Sequence, residues 1–273
     1  MTGTLRSRIK EYTGALPDFI IVGAQKCGTT SLYHYLVQHP CIYPTSVKEV
    51  GYFDRYYAKG IGWYRAQFPS RLKKLLATHL RGEPFLTGEA STGYIIKPHS
   101  LRRIQRTLPE VKVLLMLRNP VDRAYSHYQH TLRIRMETLP FEEAIGREEE
   151  RIGSAWKRML EEDDYYNLEI AFYGYLRTGM YADQVRVLQT LFPKERTLIM
   201  RTEDFNADPA SAVRRVVAFL GLPAWAPERF ERHNKGSYET KLEPRVRERL
   251  VEYFRPHNER LSSYLGIGLG WDR

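Results

Sequence analysis

Phe19-Ile-Ile-Val-Gly23-Ala-Gln25-Lys26-Cys27-Gly28-Thr29-Thr30-Ser31 is the stretch on which the reading of this chain turns. A short apolar run meets Gly23, and the hydroxyl-rich residues after Gly28 open an amphipathic helical pattern. Strand, glycine-bounded loop and helix form the geometry that wraps backbone N–H groups around a phosphate and aims a helix N-terminus at it. In the common nucleoside-triphosphate loop, Gly-x-x-x-x-Gly-Lys-Ser/Thr, the lysine follows the second glycine. Gly23 and Gly28 keep that spacing, but Lys26 sits inside the loop and Thr29 stands in the lysine's usual place. The loop still suits an anion, yet it points its cation elsewhere.

Outward from the loop, apolar β-type runs recur at 19–22, 85–87, 113–117 and 197–200, separated by helical patterns at 30–38, 101–108, 122–133, 181–191 and 211–220. Apolar strands alternating with helices predict an α/β fold: a P-loop-type three-layer sandwich whose central, mostly parallel sheet is flanked by helices. Residues 1–16 read as a leader and 17–273 as one domain, closed by an amphipathic helix near 243–264. The acidic runs between Glu137 and Glu169 read as solvated helix faces in an excursion from the sheet, with a lid as the second reading. At 273 residues the chain is long enough to bury a substantial core, and its net charge of +10 suits anionic partners. Two cysteines cannot form a disulfide framework, residues 1–10 carry no apolar signal core, and no apolar run is long enough to cross a bilayer. A cytoplasmic protein without stable membrane insertion is expected. No His/Cys/Asp cluster has metal-ligand spacing, so no metal is expected.

A second anion site follows the central strand, in Arg118-Asn-Pro-Val-Asp-Arg-Ala-Tyr-Ser126. Pro120 suits the first turn of a helix, where its missing N–H costs nothing. Arg118 then ends the strand, at the carboxyl edge where open α/β sheets bind ligands, and Ser126 lies about two turns into the helix. A guanidinium fork and a hydroxyl converging on one anion, beside the glycine loop, suggest one nucleotide with two separated anionic groups.

These residues resemble a family. Residues 22–31 look like the 5′-phosphosulfate loop of sulfotransferases, and 117–126 like their 3′-phosphate motif. The similarity is nearest to the heparan sulfate N- and 3-O-sulfotransferase branch and its bacterial relatives. It is supported by Lys48-Glu-Val-Gly-Tyr-Phe-Asp54, Lys59-Gly-Ile-Gly-Trp-Tyr64, Gly88-Glu-Ala-Ser-Thr-Gly-Tyr94 and Arg123-Ala-Tyr-Ser-His-Tyr-Gln-His130. The motifs stand in family order from about residue 18 to the C-terminus.

The resemblance implies transfer of a sulfuryl group from 3′-phosphoadenosine 5′-phosphosulfate to a hydroxyl or amine, with 3′,5′-bisphosphoadenosine as product and no metal. Lys26 would face the bridging oxygen of the departing phosphate, helped by N–H groups of Gly28, Thr29 and Thr30. Gly23, Gln25, Cys27 and Ser31 complete the loop's cofactor set, with Arg118 and Ser126 at the 3′-phosphate. Lys235, Gly236 and Tyr238 match the family's loop over the nucleotide, in a segment shorter than in the animal enzymes and without their cysteine pair, as in a compact bacterial-type member. Glu49 is the first choice for general base and Glu89 the second; Gly51 stands where the 3-O enzymes commonly carry histidine. His130 is a candidate for the acceptor site, whereas His34 and His39 are expected to pack or face solvent. The aromatic residues Tyr52, Phe53, Tyr56, Tyr57, Trp63 and Tyr64 are expected in core and loop anchoring, with some walling the acceptor cleft.

The acceptor is expected to be a small molecule, glycan or carrier-bound chain, with a hydroxyl preferred. The alternative is a P-loop kinase using ATP and magnesium, with Thr29 or Thr30 and Glu89 as metal-site groups; the displaced Lys26 and the Arg118/Ser126 pair argue against it. A nucleic-acid-binding domain has net charge alone behind it, with no RNA-type aromatic motif or zinc finger, so no nucleic-acid partner is expected.

Overall fold

The computed structural model describes residues 10–80, 82–230 and 242–272. Five strands, β1 (Phe19–Gly23), β2 (Ile42–Tyr43), β3 (Leu86–Ala90), β4 (Lys112–Leu117) and β5 (Thr197–Arg201), form one sheet in the order β2-β3-β1-β4-β5. Every neighbouring pair is parallel, and helices cover the sheet to give the expected α/β three-layer sandwich. Phe19, Ile20, Ile21 and Val22 are all fully buried, as a central strand covered on both faces requires. Each such side chain contributes about 1.5–3 kcal/mol through burial. β5 lies at an edge and alternates buried with half-buried residues.

The chain leaves β1 toward β2 and β3 on one side, then returns past it to β4 on the other. That reversal opens a crevice beyond the carboxyl ends of β1, β3 and β4, the place where open parallel sheets hold ligands. Two glycines shape its floor. A Cβ on Gly23 would come within 2.4 Å of Ile95 Cγ2, so only glycine lets the strand end pass so close. Gly28 has φ of 82°, the left-handed region that turns the chain into helix Thr29–Leu36.

Helix Pro120–Arg133 begins as its sequence suggests: Pro120 occupies the first turn and the Asn119 side chain accepts the Val121 N–H at 2.9 Å. The short edge strand β2 was not foreseen, because two residues make no periodic run. The acidic region folds as helices Phe141–Gly146, Glu148–Glu161 and Leu168–Tyr173, an excursion between β4 and β5. Its carboxylates are not all solvated. Glu148 is buried and accepts the N–H groups of Leu176 and Arg177, at 2.6 and 2.9 Å.

Glu137 is buried too. It accepts from the N–H groups of Thr138 and Leu139, from the Tyr175 hydroxyl and from Arg151 at 2.5 Å. Those donors, Arg151 foremost, outweigh burial and hold its carboxyl down to about 2. Because the folded value lies below the ordinary 4.5, the stabilisation is complete above that pH and is lost as pH falls toward 2. Glu137→Ala, which strands Arg151, is expected to cost about 3–5 kcal/mol at neutral pH. Urea unfolding at pH 7 and pH 3 checks this: the gap between wild type and variant should narrow in acid.

Candidate active site

The glycine loop runs from the end of β1 to helix Thr29–Leu36 and is tied down from below. Ala24 N–H donates to Met116 O of β4 at 2.8 Å, and the Thr202 hydroxyl lies 2.8 Å from both Cys27 O and Leu117 O. Above it lies a cavity of about 670 Å³. Gln25, Lys26, Gly28, Thr29, Thr30 and Ser31 form one wall, and Arg118, Ser126 and His130 also line it, so the two motifs do share one crevice. Arg118 closes β4 and donates from Nη1 to Lys26 O at 3.4 Å. Lys26 itself is half-buried, with φ of 68°. Burial pushes its ammonium down to about 8, and Arg133, Arg118 and Arg123 push in the same direction.

Glu49 and Glu89 have different surroundings. Glu49 lines the cavity, with its side chain 45% exposed. Its carboxylate accepts the Thr92 N–H at 2.9 Å and pairs with Lys48 at 3.4 Å. Glu89 is fully buried and does not line the cavity. It accepts hydroxyls from Tyr64 (2.6 Å), Ser91 (2.6 Å) and Tyr94 (3.2 Å). Burial raises it to about 7 against the pull of those three hydroxyls, with Glu49 adding to the rise. The fold sets Glu89 behind Ser91, because β3 carries its side chain inward.

Gly23 and Cys27 do not line the cavity either. The Cys27 thiol is buried, 3.7 Å from the Tyr181 hydroxyl, and burial pushes it up to about 11. Lys235, Gly236 and Tyr238 lie outside the described residues. His130 lines the cavity, with Arg133 Nη2 at 3.1 Å from Nδ1; burial, Lys26 and Arg133 all lower its pKa and favour the neutral imidazole. His39 is structural: it is buried, with the Cys41 N–H donating to Nδ1 at 3.0 Å. His34 is exposed.

Several cavity groups had no role in the sequence reading. Lys48 donates to Thr30 Oγ1 at 2.9 Å while pairing with Glu49, so it links the loop to the carboxylate. Its only signal was adjacency to Glu49. Asp54 and Lys97 form a buried pair at 2.8 Å, and Tyr166 lies over Lys97 at 4.4 Å and bonds Arg55. Tyr166, Asn167, Ile170 and Ala171 bring the acidic excursion to the cavity wall. The aromatic stretch anchors the core as expected, and the part of it expected to wall the cavity does not. Tyr52, Phe53 and Tyr64 stack in the core, with Tyr52 and Tyr64 centroids 4.5 Å apart, and none of the six aromatic residues of that stretch lines the cavity. Tyr166 and Phe205 do.

Among the described residues no group of three His, Cys, Asp or Glu side chains is placed to hold a metal ion, and no helix is long and apolar enough to cross a membrane.

Fold and crevice together define a parallel α/β protein with a phosphate-type loop at one strand end and a guanidinium–hydroxyl pair at the next. Residues 16–257 match the family described as Sulfotransferase domain, and the chain belongs to that family. A crystal structure of a sulfotransferase from Alicyclobacillus acidocaldarius is 35% identical, with a TM-score of 0.73 over 95% of this chain and 100% of that one. Heparan sulfate glucosamine 3-O-sulfotransferase 3A1 of Mus musculus is 27% identical over 99% of this chain and 68% of its own length. Bifunctional heparan sulfate N-deacetylase/N-sulfotransferase 3 of Homo sapiens is 30% identical over 92% of this chain and 30% of its own. This chain thus spans about two thirds of the length of curated relatives such as the 3-O-sulfotransferase.

Proposed function

We propose that this chain moves a sulfuryl group from 3′-phosphoadenosine 5′-phosphosulfate to an acceptor hydroxyl on a glycan, glycolipid or carrier-bound hydroxyacyl chain. The observation that carries the reading is that Lys26 and Arg118 line one cavity together with the start of helix Thr29–Leu36, Arg118 Nη1 donating to Lys26 O at 3.4 Å. Positive charge packed so closely is relieved by a ligand that brings several negative charges. The donor, when bound, supplies an activated sulfuryl group on its 5′-phosphate and a separate 3′-phosphate.

Loop N–H groups at the start of helix Thr29–Leu36, with the hydroxyls of Thr30 and Ser31, would hold the 5′-phosphate. Arg118 and Ser126 would hold the 3′-phosphate by a charged fork and a hydroxyl. Lys26 would stabilise the negative charge that grows on the departing phosphate oxygen. Glu49, open to the cavity, would take the acceptor proton, and Lys48 would tie it to the loop through Thr30. His130 would contact the acceptor as a neutral imidazole. Membership of the sulfotransferase family and the burial of Glu89 behind three hydroxyls weigh against the kinase alternative. Cys27 and Cys41 are both free thiols, which suits a reducing compartment, and the cytoplasm is the location we propose.

Thermal shift with nucleotides tests the donor assignment. 3′,5′-Bisphosphoadenosine without magnesium should raise the Tm more than ATP with magnesium at equal concentration. The reverse order would sink the proposal. A screen with radiolabelled donor against glycans, glycolipids and carrier-bound hydroxyacyl chains then identifies the acceptor.

A further inference from the structure

We propose that Glu89 is a positioning residue: its carboxylate orients the Ser91 hydroxyl, which in turn pins Gly51 and with it the loop that presents Glu49. This inference rests on the reading of Glu49 as the base.

The loop needs holding. Glu49 has φ of 57° and Gly51 has φ of 65°. Left-handed backbone at a non-glycine residue costs about 1–3 kcal/mol and persists only where the surroundings over-determine it. Three bonds to three successive residues after Glu89 do this. Glu49 N–H donates to Ala90 O at 3.1 Å, Gly51 N–H donates to Ser91 Oγ at 3.0 Å, and the Thr92 N–H donates to the Glu49 carboxylate at 2.9 Å. The loop is therefore laid along the end of β3 residue by residue.

Of these tethers only the one through Ser91 depends on a hydroxyl rotor. A serine hydroxyl has one hydrogen and two lone pairs, and its direction follows its best acceptor. Glu89 Oε2, 2.6 Å away, takes that hydrogen and leaves a lone pair for the Gly51 N–H. Glu89 is in turn fixed from its other oxygen by Tyr64 and Tyr94, both fully buried on separate segments. Tyr94 also accepts the Phe53 N–H at 3.4 Å, which binds the same loop two residues beyond Gly51. Four hydrogen bonds thus run from a buried carboxylate to the backbone around the base, by way of Ser91 and Tyr94, while Tyr64 steadies the carboxylate itself.

The test is amide hydrogen exchange by NMR on the full chain, with Ser91→Ala and Glu89→Gln made singly and together. Ser91→Ala removes only a hydroxyl. Glu89→Gln keeps one acceptor oxygen, which the Tyr64 and Tyr94 hydroxyls claim together, and so turns its amide NH2 toward the serine. Each should speed exchange at Gly51 about tenfold, the weight of one hydrogen bond, while β4 amides such as Leu114 and Leu115 keep their protection. The double variant should be no faster than either single one, since both break one chain of bonds. Affinity for 3′,5′-bisphosphoadenosine, read by calorimetry, should stay within about twofold. With the acceptor found by screening, kcat should fall while the acceptor KM holds.

Unchanged Gly51 exchange in Glu89→Gln, additive effects in the double variant, or equal loss of protection in β4 would each overturn the inference. Should Glu89→Gln fail to fold, Ser91→Ala still decides through Gly51 and kcat. Failure of the base assignment looks different: Glu49→Gln would then keep full transfer, whatever Gly51 shows.

Discussion

Lys26→Ala is expected to lower kcat for transfer by about 10²–10³-fold, the cost of removing one donor to oxygen that gains charge in the transition state. Nucleotide affinity should fall much less. The ammonium is already disfavoured at its site by burial and by Arg133, Arg118 and Arg123, so its removal also lifts a repulsion in the unliganded protein. The same crowding gives a pH signature. With a pKa of about 8 in place of the usual 10.5, Lys26 is mostly protonated at pH 7 and loses its proton as pH rises through 8. Wild-type kcat/KM should therefore decline on an alkaline limb near that pH, and the limb should vanish in Lys26→Ala. Single-turnover transfer from radiolabelled donor measures both. A variant that keeps wild-type turnover would remove Lys26 from the chemistry.

Glu49→Gln is the second large effect, with transfer down about 10²–10⁴-fold as befits a lost general base. Here the nucleotide should bind as before, because among the described residues Glu49 has no hydrogen bond to the loop, Arg118 or Ser126, and its link to the loop runs through Lys48. Calorimetry with 3′,5′-bisphosphoadenosine separates the two readouts. Full activity in Glu49→Gln, combined with loss in Glu89→Gln at unchanged Gly51 exchange, would reverse the roles assigned to the two glutamates.

The contrast between those glutamates shows where linear reading stops. Both sit in motifs, and linear order left both as candidates for the base. Their difference is one of side-chain direction at a strand end. Glu89 lies in β3, whose residues from Thr87 to Ala90 are buried, and points among tyrosines. Glu49 lies on a loop that returns over the crevice. Lys48 follows the same logic: nothing in its spacing from Thr30 told that the two side chains would meet at 2.9 Å.

What the amino-acid order determined by itself was everything carried by short-range pattern. The spacing of Gly23, Lys26 and Gly28, the apolar run into Arg118, and Pro120 at a helix start are local constraints of backbone conformation and burial. They suffice for β1, β3, β4 and β5 and for the helices that follow β1 and β4. The tertiary structure alone decided which acid faces the cavity, that Lys48 joins Glu49 to the loop, that Glu137 and Glu148 are buried, and that the excursion reaches the cavity through Tyr166. Those facts depend on contacts between segments tens of residues apart, whose geometry is set by how layers pack and not by any period along the chain.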